Sequence, residues 1–481
     1  MSMPQNEETA RNKLPDISSN LDRAQRSGSG SPHVTTDLTT GSSPRNLWFL
    51  AWPQMTEGVL TAITNTLDLV WIGRVGFHAV AGLGVGQLYV VATSALRGGI
   101  DAAARAMIAR AYGARNVSGA NHILVQTLAL TAIYHAIVLS IGLPFAEPML
   151  KVLGLTEEIV TQTSGYLRVQ FIASAVLSFQ SVTGGALQAA GDSVTPLRAE
   201  TVNRLVHIVL SPILIFGWLG APELGLPGVA FASLSARSLS VGLNFYALVR
   251  GTTRLRIERK SYSPDFQLMA RILKLGLPAG ITGLQRGFSP LVIVMIIAPF
   301  GDAALAAMTI LRRVEALSTQ TGQPVGRAAG AIAGQNLGVA QRKRAKDTIW
   351  WALGLILVLS IAVTVPLFIF AENISRFVNS DLAFVDQSTQ WLRIVAVGYS
   401  LFSLSYFFVH AFNTSGSTLF PMLVMVGTLW LVDVPLAYTL ANFTGLAENG
   451  VPYALVIGSF LRLTLFAWYF GRGKWLRIGM I

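Results

Sequence analysis

The sequence predicts an all-α integral membrane protein whose twelve transmembrane helices form two parallel six-helix lobes, related by a pseudo-twofold axis along the membrane normal. Three observations lead to this prediction. Only 12% of the 481 residues are charged, about half the share found in soluble domains, and the mean hydropathy is +0.53. Twelve apolar runs follow one another along the chain. The two halves of the chain also repeat one pattern of glycine and proline.

The twelve predicted spans are separated by short connections that contain glycine, proline and charged residues. A span needs about 20 mostly apolar residues, and membrane helices tolerate proline and glycine within it. The predicted spans cover residues 47–72, 80–104, 120–143, 165–190, 197–218, 227–249, 272–299, 304–334, 349–370, 391–412, 420–442 and 452–470. They predict an N-lobe over residues 46–250, a cytoplasmic linker over 251–270 and a C-lobe over 271–475.

The two ends of the chain differ from the spans. Residues 1–45 are rich in Ser, Thr, Asn, Gly and Pro, and their acidic and basic side chains balance. Such a segment buries too little apolar area to fold, so a disordered N-terminal tail is predicted. It contains no apolar stretch of the kind that signal peptides carry. Residues 476–481 are predicted to form a short C-terminal tail.

The net charge of +12 is concentrated in alternate loops. Loops that follow even-numbered spans hold most of the basic residues, among them Arg110, Arg254, Lys343 and Arg472. Because short loops rich in Lys and Arg remain in the cytoplasm, both termini are predicted to be cytoplasmic, and the plasma membrane is the expected location if the source is a prokaryote. The same loops suit anionic lipid head groups, which argues against nucleic acid as a partner.

Several function classes are excluded by what the sequence lacks. The absence of cysteine excludes disulfides, thiolate metal sites and cysteine nucleophiles. The chain contains neither a GxxxxGK[ST] loop nor an HExxH pair, so neither ATP hydrolysis nor zinc chemistry is supported. The low charge argues against a cytosolic enzyme. We therefore expect a protein that is not an enzyme, that binds no cofactor or metal, and that draws on an ion gradient.

An internal repeat with an offset of 225 residues determines how the lobes are arranged. The matched pairs are Pro53 with Pro278, Gly76 with Gly301, Gly113 with Gly338, Gly191 with Gly416, Pro196 with Pro421, Gly225 with Gly450, and Pro227 with Pro452. Each half holds six spans, an even number, so both halves begin on the same side of the membrane and lie parallel. Two such bundles enclose a cleft, which is the architecture of alternating access around a central site.

Three segments carry a resemblance to a known family. They are DLVWIGRVG at 68–76, GDSVTP at 191–196 leading to SPILIFG at 211–217, and RRVEAL at 312–317 followed by GQNLG at 334–338. In their order and spacing the chain resembles the multidrug and toxic compound extrusion (MATE) transporters of the MOP exporter superfamily. The resemblance covers residues 46–475. It implies export of organic cations and other amphipathic compounds, driven by inward flow of protons or Na⁺, and a monomer is expected.

Polar residues in the first span predict the coupling site. Glu57, Thr61, Asn65 and Asp68 recur at spacings of four, four and three, which places them on one face of a helix. Charged residues inside a membrane usually face the bundle interior, where one carboxylate can bind either a proton or a cationic solute. The resemblance implies that Asp68 is the N-lobe acid of the family. Glu57 is the second candidate, or else a hydrated residue near the inner interface.

A second polar stripe lies in the fifth span. Asn203, His207 and Ser211 are four residues apart and therefore share one helix face. His207 is a candidate for proton relay because imidazole titrates near neutral pH, and a packing role is the alternative. Proton-coupled relatives carry Asn and Asp where this chain has His207 and Ser211, so the second acid of that site is missing at these positions.

The second half departs further from the family pattern. Sodium-coupled relatives carry a glutamate near the position of Arg286, which follows Gln285 here. An arginine repels Na⁺, and suits an anionic or zwitterionic substrate or a pairing with Asp433 of the eleventh span, itself a candidate cavity acid. Tyr406 and His410 of the tenth span are candidates because aromatic rings can hold organic cations, with ordinary packing as the alternative.

Three functions follow as alternatives. The leading prediction is a secondary active antiporter that exports small molecules, organic cations or amphipathic compounds, in exchange for protons or Na⁺. The alternative is a flippase of the same superfamily for lipid-linked or polysaccharide precursors, which Arg286 favours and a count of fourteen spans would indicate. A membrane-embedded enzyme such as a lipid-linked transferase would need clusters of Asp, His or Arg beside the bilayer, whereas the outer loops carry only scattered charges.

Overall fold

The computed structural model describes residues 37–75, 77–152, 157–257, 263–378 and 381–477. The part of the chain that it describes contains twelve long helices, which coincide with the twelve predicted spans. They are α1 Ser43–Val75, α2 Phe77–Gly113, α3 Val117–Val152, α4 Glu157–Ala189, α5 Val194–Phe216, α6 Leu226–Arg250, α7 Phe266–Ile297, α8 Asp302–Gly338, α9 Arg342–Ile369, α10 Leu382–Ser415, α11 Leu419–Phe443 and α12 Gly450–Arg472. A short helix, Ala371–Val378, lies between α9 and α10.

Helices α1–α6 form one bundle and α7–α12 form the other. Eight helices of the described chain, among them α3, α9 and α11, are long and apolar enough to cross a membrane. A helix satisfies its own backbone hydrogen bonds, which is what a lipid environment requires. Within α11, a π-helical turn at Leu429–Asp433 inserts an extra residue into the helix and so changes which way the following side chains face.

The repeat is visible in the backbone at the ends of α4 and α10. Gly191 and Gly416, which are 225 residues apart, both adopt a left-handed conformation, with φ of +96° and +101°. Glycine adopts this conformation without the steric cost that a Cβ would bring. The same turn therefore ends the fourth helix of each lobe, as the repeat predicts.

The two lobes meet at the end of the bundle that carries the basic loops, which we call the inner end. Gly113 at the end of α2 lies against the backbone of Gln335 on α8, and Gly338 at the end of α8 lies against the backbone of Arg110 on α2. Neither site has room for a Cβ. Because Gly113 and Gly338 are matched by the repeat, equivalent positions lie at the same end, as parallel lobes require.

Part of the predicted disordered tail is ordered in the structure. Residues 1–36 lie outside the described residues, but the predicted tail residues 37–45 are ordered and α1 already begins at Ser43. Leu38 is fully buried because it packs against Gly191 of the N-lobe, while its carbonyl accepts a hydrogen bond from Asn336 of the C-lobe at 3.4 Å. The carbonyl of Thr40 accepts another from Arg344 at 2.6 Å. This segment therefore contacts both lobes at the inner end.

The linker and the C-terminal tail also differ from their predicted bounds. The predicted linker, residues 251–270, is shorter because α7 begins at Phe266, and its residues 258–262 lie outside the described part. The C-terminal tail begins within a 3₁₀ turn at Lys474–Arg477, and residues 478–481 are likewise outside.

Asp265 caps α7 and gives a pH-dependent prediction. Its side chain accepts a hydrogen bond from the Leu268 N–H at 2.9 Å and lies 3.3 Å from His122 Nε2. These contacts lower the pKa of Asp265 below its ordinary value of 3.8. A lowered pKa stabilises the fold above the ordinary value, and this contribution disappears as the pH falls through the folded-state pKa.

We expect Asp265→Asn, which can still cap the helix, to lower the melting temperature at neutral pH. The difference from the wild-type protein should shrink below about pH 4, where both proteins become uncharged at this position. Thermal unfolding of the purified protein across this pH range would measure it, with Asp347→Asn on exposed α9 surface as the control. A difference that stays constant with pH would contradict the assignment.

Candidate functional site

Two polar residues on α5 meet a carboxylate on α1 inside the N-lobe. His207 and Ser211 are one helical turn apart, so both face α1. His207 Nε2 lies 2.9 and 3.0 Å from the two carboxylate oxygens of Asp68, and Ser211 Oγ donates to Asp68 Oδ1 at 3.2 Å. The Asp68 side chain is 17% exposed and that of His207 is 6% exposed. The structure thus brings together three residues from two predicted stripes.

Glu200 of α5, which the sequence analysis missed, is a second carboxylate in this interior. It accepts hydrogen bonds from Asn203 Nδ2 at 3.1 Å and from Arg204 Nε at 2.6 Å, and it is also bonded to Gln180 of α4. Arg204 then donates to Thr61 Oγ1 on α1 at 3.1 Å. The predicted residues Asn203 and Thr61 are therefore held in a network whose centre is Glu200.

Glu57 is the third carboxylate. Both of its oxygens accept from Gln188 Nε2 at 3.2 Å. Gln188 in turn accepts from Arg105 at 2.6 Å, and Arg105 pairs with Asp101 at 2.9 Å. Glu57 thus belongs to a hydrogen-bonded chain within the lobe, which does not fit the alternative of a merely hydrated residue. Asn65, the remaining member of the predicted stripe, is exposed.

A cavity of about 40 Å³ lies inside the C-lobe, between α7, α8, α10, α11 and α12. Its lining residues are Thr282, Gln285, Arg286, Ser289, Arg312, Glu315, Phe402, Tyr406, Met425, Leu429, Asp433, Leu455 and Arg462. Gln285, Arg286, Tyr406 and Asp433 were predicted cavity residues. Gln285 Nε2 donates to the carbonyl of Met425 at 2.8 Å and so ties α7 to α11.

The possible pairing of Arg286 with Asp433 is wrong. Asp433 Oδ2 instead accepts from Arg462 Nη2 of α12 at 2.8 Å, where the side chains are 1% and 11% exposed. Asp433 lies in the π-helical turn of α11, and its carboxylate rests against Gly458 of α12. Arg286 lies over the ring of Tyr406 instead, with its guanidinium carbon 5.4 Å from the ring centroid.

The Asp433–Arg462 pair is expected to matter for stability. Arg462→Leu leaves a buried carboxylate without its partner, and such a change costs about 3–5 kcal/mol. Changing both residues to leucine should restore most of this loss, because two apolar side chains replace a buried ion pair at little cost. Denaturant unfolding in detergent would compare the two variants. A single variant as stable as the wild type would contradict the pairing.

His410 does not line the C-lobe cavity. Its Nε2 atom is enclosed and has no hydrogen-bond partner within the described ranges, and Gly326 of α8 packs against its side chain. Three lining residues that carry charge, Arg312, Glu315 and Arg462, were not among the predicted cavity residues. The sequence does indicate Arg462 as a candidate, because it is the one charged residue within the last apolar span.

The chemistry available in both lobes is that of hydrogen-bonded carboxylates. In the portion of the chain that the structure covers, no group of three His, Asp or Glu side chains is placed to hold a metal ion. Asp68 is held by imidazole and hydroxyl groups, whereas Asp433 is held by a guanidinium. A protonated carboxyl is a donor as well as an acceptor, so protonation of Asp68 would reverse or break at least one of its hydrogen bonds when His207 carries its proton on Nε2.

Comparison with known proteins gives a consistent result across the chain. The family model described as MatE matches twice, at residues 53–213 and 278–439. The two matches begin 225 residues apart, which is the offset of the repeat. The Probable multidrug resistance protein YoeA of Bacillus subtilis is 24% identical over 424 residues, covering 87% of this chain and 92% of that protein.

Further relatives agree. The Probable multidrug resistance protein NorM of Thermotoga maritima is 24% identical over 427 residues, covering 89% of this chain and 92% of that protein. A solved structure described as the outward-facing conformation of a multidrug resistance MATE family transporter of the MOP superfamily has a TM-score of 0.86, at 22% identity, and covers 94% of this chain and 100% of that chain. The predicted fold class is thereby confirmed.

Proposed function

Because this chain belongs to the MatE family of transporters, we propose that it is a secondary active efflux transporter that exchanges organic cations or amphipathic compounds for protons. The observation that carries the proposal is the Asp68 carboxylate, which two α5 side chains hold inside an apolar bundle. A charge inside a membrane is costly and usually serves ion or substrate movement. Relatives named as multidrug resistance proteins support the export of such compounds.

Protonation of Asp68 couples to the position of α1 in the following way. The ionised carboxylate accepts hydrogen bonds from Ser211 and, in its Nε2–H tautomer, from His207. A protonated carboxyl needs an acceptor for its own proton, so at least one of these bonds must change. Because Asp68 lies on α1 and both partners lie on α5, a proton alters the contact between two helices. A cationic substrate near Asp68 competes with that proton.

The proposed cycle alternates between two arrangements of the lobes. The inner end is closed here by the contacts of Gly113 and Gly338. In the outward-closed arrangement the inner contacts would separate while the central site faces the cytoplasm. We also propose a monomer with both termini cytoplasmic in the plasma membrane, supported by the basic inner loops, which suit anionic lipid head groups.

Transport by purified protein in liposomes tests the proposal. Ethidium efflux should respond to an imposed pH gradient, should be unaffected by ATP, and should respond little to a Na⁺ gradient. Efflux that follows the Na⁺ gradient without sensitivity to pH would replace protons by Na⁺ as the coupling ion. Absence of gradient-dependent efflux, together with translocation of a lipid-linked precursor, would favour the flippase alternative, which Arg286 in the C-lobe cavity keeps open.

A further inference from the structure

The C-lobe cavity carries more positive than negative charge. Its walls contain three arginines, Arg286, Arg312 and Arg462, and two acids, Glu315 and Asp433. Two of the arginines are neutralised, because Arg462 pairs with Asp433 at 2.8 Å and Arg312 pairs with Glu315 at 2.7 Å. One arginine therefore remains without an acidic partner.

Arg286 is that arginine. Its contact in the described structure is the ring of Tyr406, and a cation–π contact leaves the positive charge in place. An arginine inside a membrane is costly unless it faces water or a partner. Arg286 is exposed and lines the cavity, so its unpaired charge is available to a ligand.

The face of α7 shows that Arg286 is directed into the cavity. Thr282, Gln285 and Ser289 line the cavity with it and recur at helical spacing. The lipid-facing side of α7 is instead marked by exposed apolar side chains. These are Leu277, Ile281, Leu284, Phe288 and Leu291. Arg286 lies two residues from both Leu284 and Phe288. Because two residues correspond to about 200° around a helix, Arg286 lies on the opposite side of α7 from both of them.

Hydrogen-bonding capacity in the cavity wall is also unused. Arg312 Nε and Nη2 are buried and have no partner in the described part of the chain. Both are donors, so they require an acceptor, whereas Gln285 Oε1 and Asp433 Oδ1 are buried acceptors without a partner in the described residues. The remaining walls are apolar and include Phe402, Leu429 and Leu455. A ligand with anionic oxygens at one end and an apolar body at the other would satisfy both kinds of wall.

We propose that the C-lobe cavity binds an amphipathic anion, whose carboxylate, sulfonate or phosphate oxygens accept hydrogen bonds from Arg286 and Arg312. Guanidinium groups recognise such oxyanions with charge-assisted hydrogen bonds. The enclosed space is about 40 Å³, room for the anionic group, so the apolar body extends toward the opening of the cavity beside Arg286, which is exposed. Transport of this anion rests on the proposed function. Binding of the anion does not, because binding needs no ion gradient.

Three probes of one shape test the charge preference. Binding of 1-naphthoate, 1-naphthamide and 1-naphthylmethylammonium to the full-length protein in detergent would be measured by calorimetry. We expect 1-naphthoate to bind at least tenfold more tightly than the amide, and the ammonium compound to bind most weakly. Equal affinities for the three probes, or preference for the ammonium compound, would overturn the proposal.

A matched pair of variants locates the binding site. Arg286→Gln should weaken 1-naphthoate binding at least tenfold and leave amide binding unchanged. Arg313→Gln removes the same charge from an exposed neighbour that does not line the cavity, and should bind like the wild type. Melting temperature and size-exclusion profile show that each variant is folded. Unchanged 1-naphthoate binding by Arg286→Gln would overturn the proposal.

Two further arms separate the sources of the anion and the two proposals. Displacement of 1-naphthoate by phosphatidylglycerol but not by phosphatidylcholine would identify a lipid head group as the ligand, whereas displacement by neither lipid would identify a soluble anion. Ethidium efflux driven by a pH gradient is measured on the same preparation. Its absence together with retained 1-naphthoate binding would reject the proposed function alone, and the reverse result would reject only the anion site.

Discussion

Replacing Asp68 by asparagine should reduce pH-driven efflux to the rate of protein-free liposomes while the protein remains folded. An asparagine amide keeps the size of the side chain and can still accept from Ser211, but it can neither release nor take up a proton. If Asp68 is the coupling carboxylate, the proton gradient can no longer act on α1 in the Asp68→Asn variant. Ethidium efflux from proteoliposomes at a fixed pH gradient gives the measurement.

Two variants control this experiment. Ser211→Ala removes one hydrogen bond to Asp68 and keeps its titratable oxygens, so efflux should stay dependent on the pH gradient. Thr66→Ala changes an exposed residue on α1 whose hydroxyl bonds only its own helix, at the carbonyl of Ala62, and should transport normally. Wild-type efflux by Asp68→Asn would rule out this residue as the coupling site.

Gly338→Leu should open the inner end and abolish transport. Gly338 lies so close to the carbonyl of Arg110 and the N–H of Ala114 that a Cβ has no room, and the obstructing atoms belong to the backbone. Backbone cannot move aside as a flexible side chain can, so the lobes must separate. We expect the Gly338→Leu variant not to populate the arrangement in which the inner end is closed.

Distance measurements between spin labels would detect this opening. The chain has no cysteine, so labels at Ser118→Cys and Lys343→Cys, both exposed in the first turns of α3 and α9, report without background. The distance between them should increase in Gly338→Leu. Gly354→Leu places the same side chain on α9 where nothing lies within 4 Å, and should change nothing. An unaltered distance in Gly338→Leu would show that the inner contact does not hold the lobes together.

The architecture was predictable because lipid imposes strong rules on sequence. Every span must be apolar and about 20 residues long, so hydropathy alone located twelve helices, and the 225-residue repeat gave their parallel arrangement. Helical spacing also predicted that Asp68, His207 and Ser211 face inward. Spacing within each helix does not reveal which inward-facing residues of two helices meet, so the bonds between Asp68 and α5 required the structure.

The errors have equally specific causes. The alternative of pairing Arg286 with Asp433 rested on charge alone, and the carboxylate, which lies in the π-helical turn at Leu429–Asp433, pairs instead with Arg462. Glu200 was overlooked because it lies near the start of its span, where an acid is usually hydrated. Leu38 is a single apolar residue in a polar segment, and composition cannot predict a contact that depends on a crevice formed by both lobes.

The burial of Leu38 has a thermodynamic consequence for the resting protein. Its side chain is shielded by Gly191 of the N-lobe and by the apolar cluster of the C-lobe, so parting them would return a leucine to water. That exposure costs about 1.5–3 kcal/mol, which corresponds to a shift of roughly ten- to a hundredfold in a two-state equilibrium. The segment that carries Leu38 thus biases an unloaded molecule toward the arrangement in which the inner end is closed.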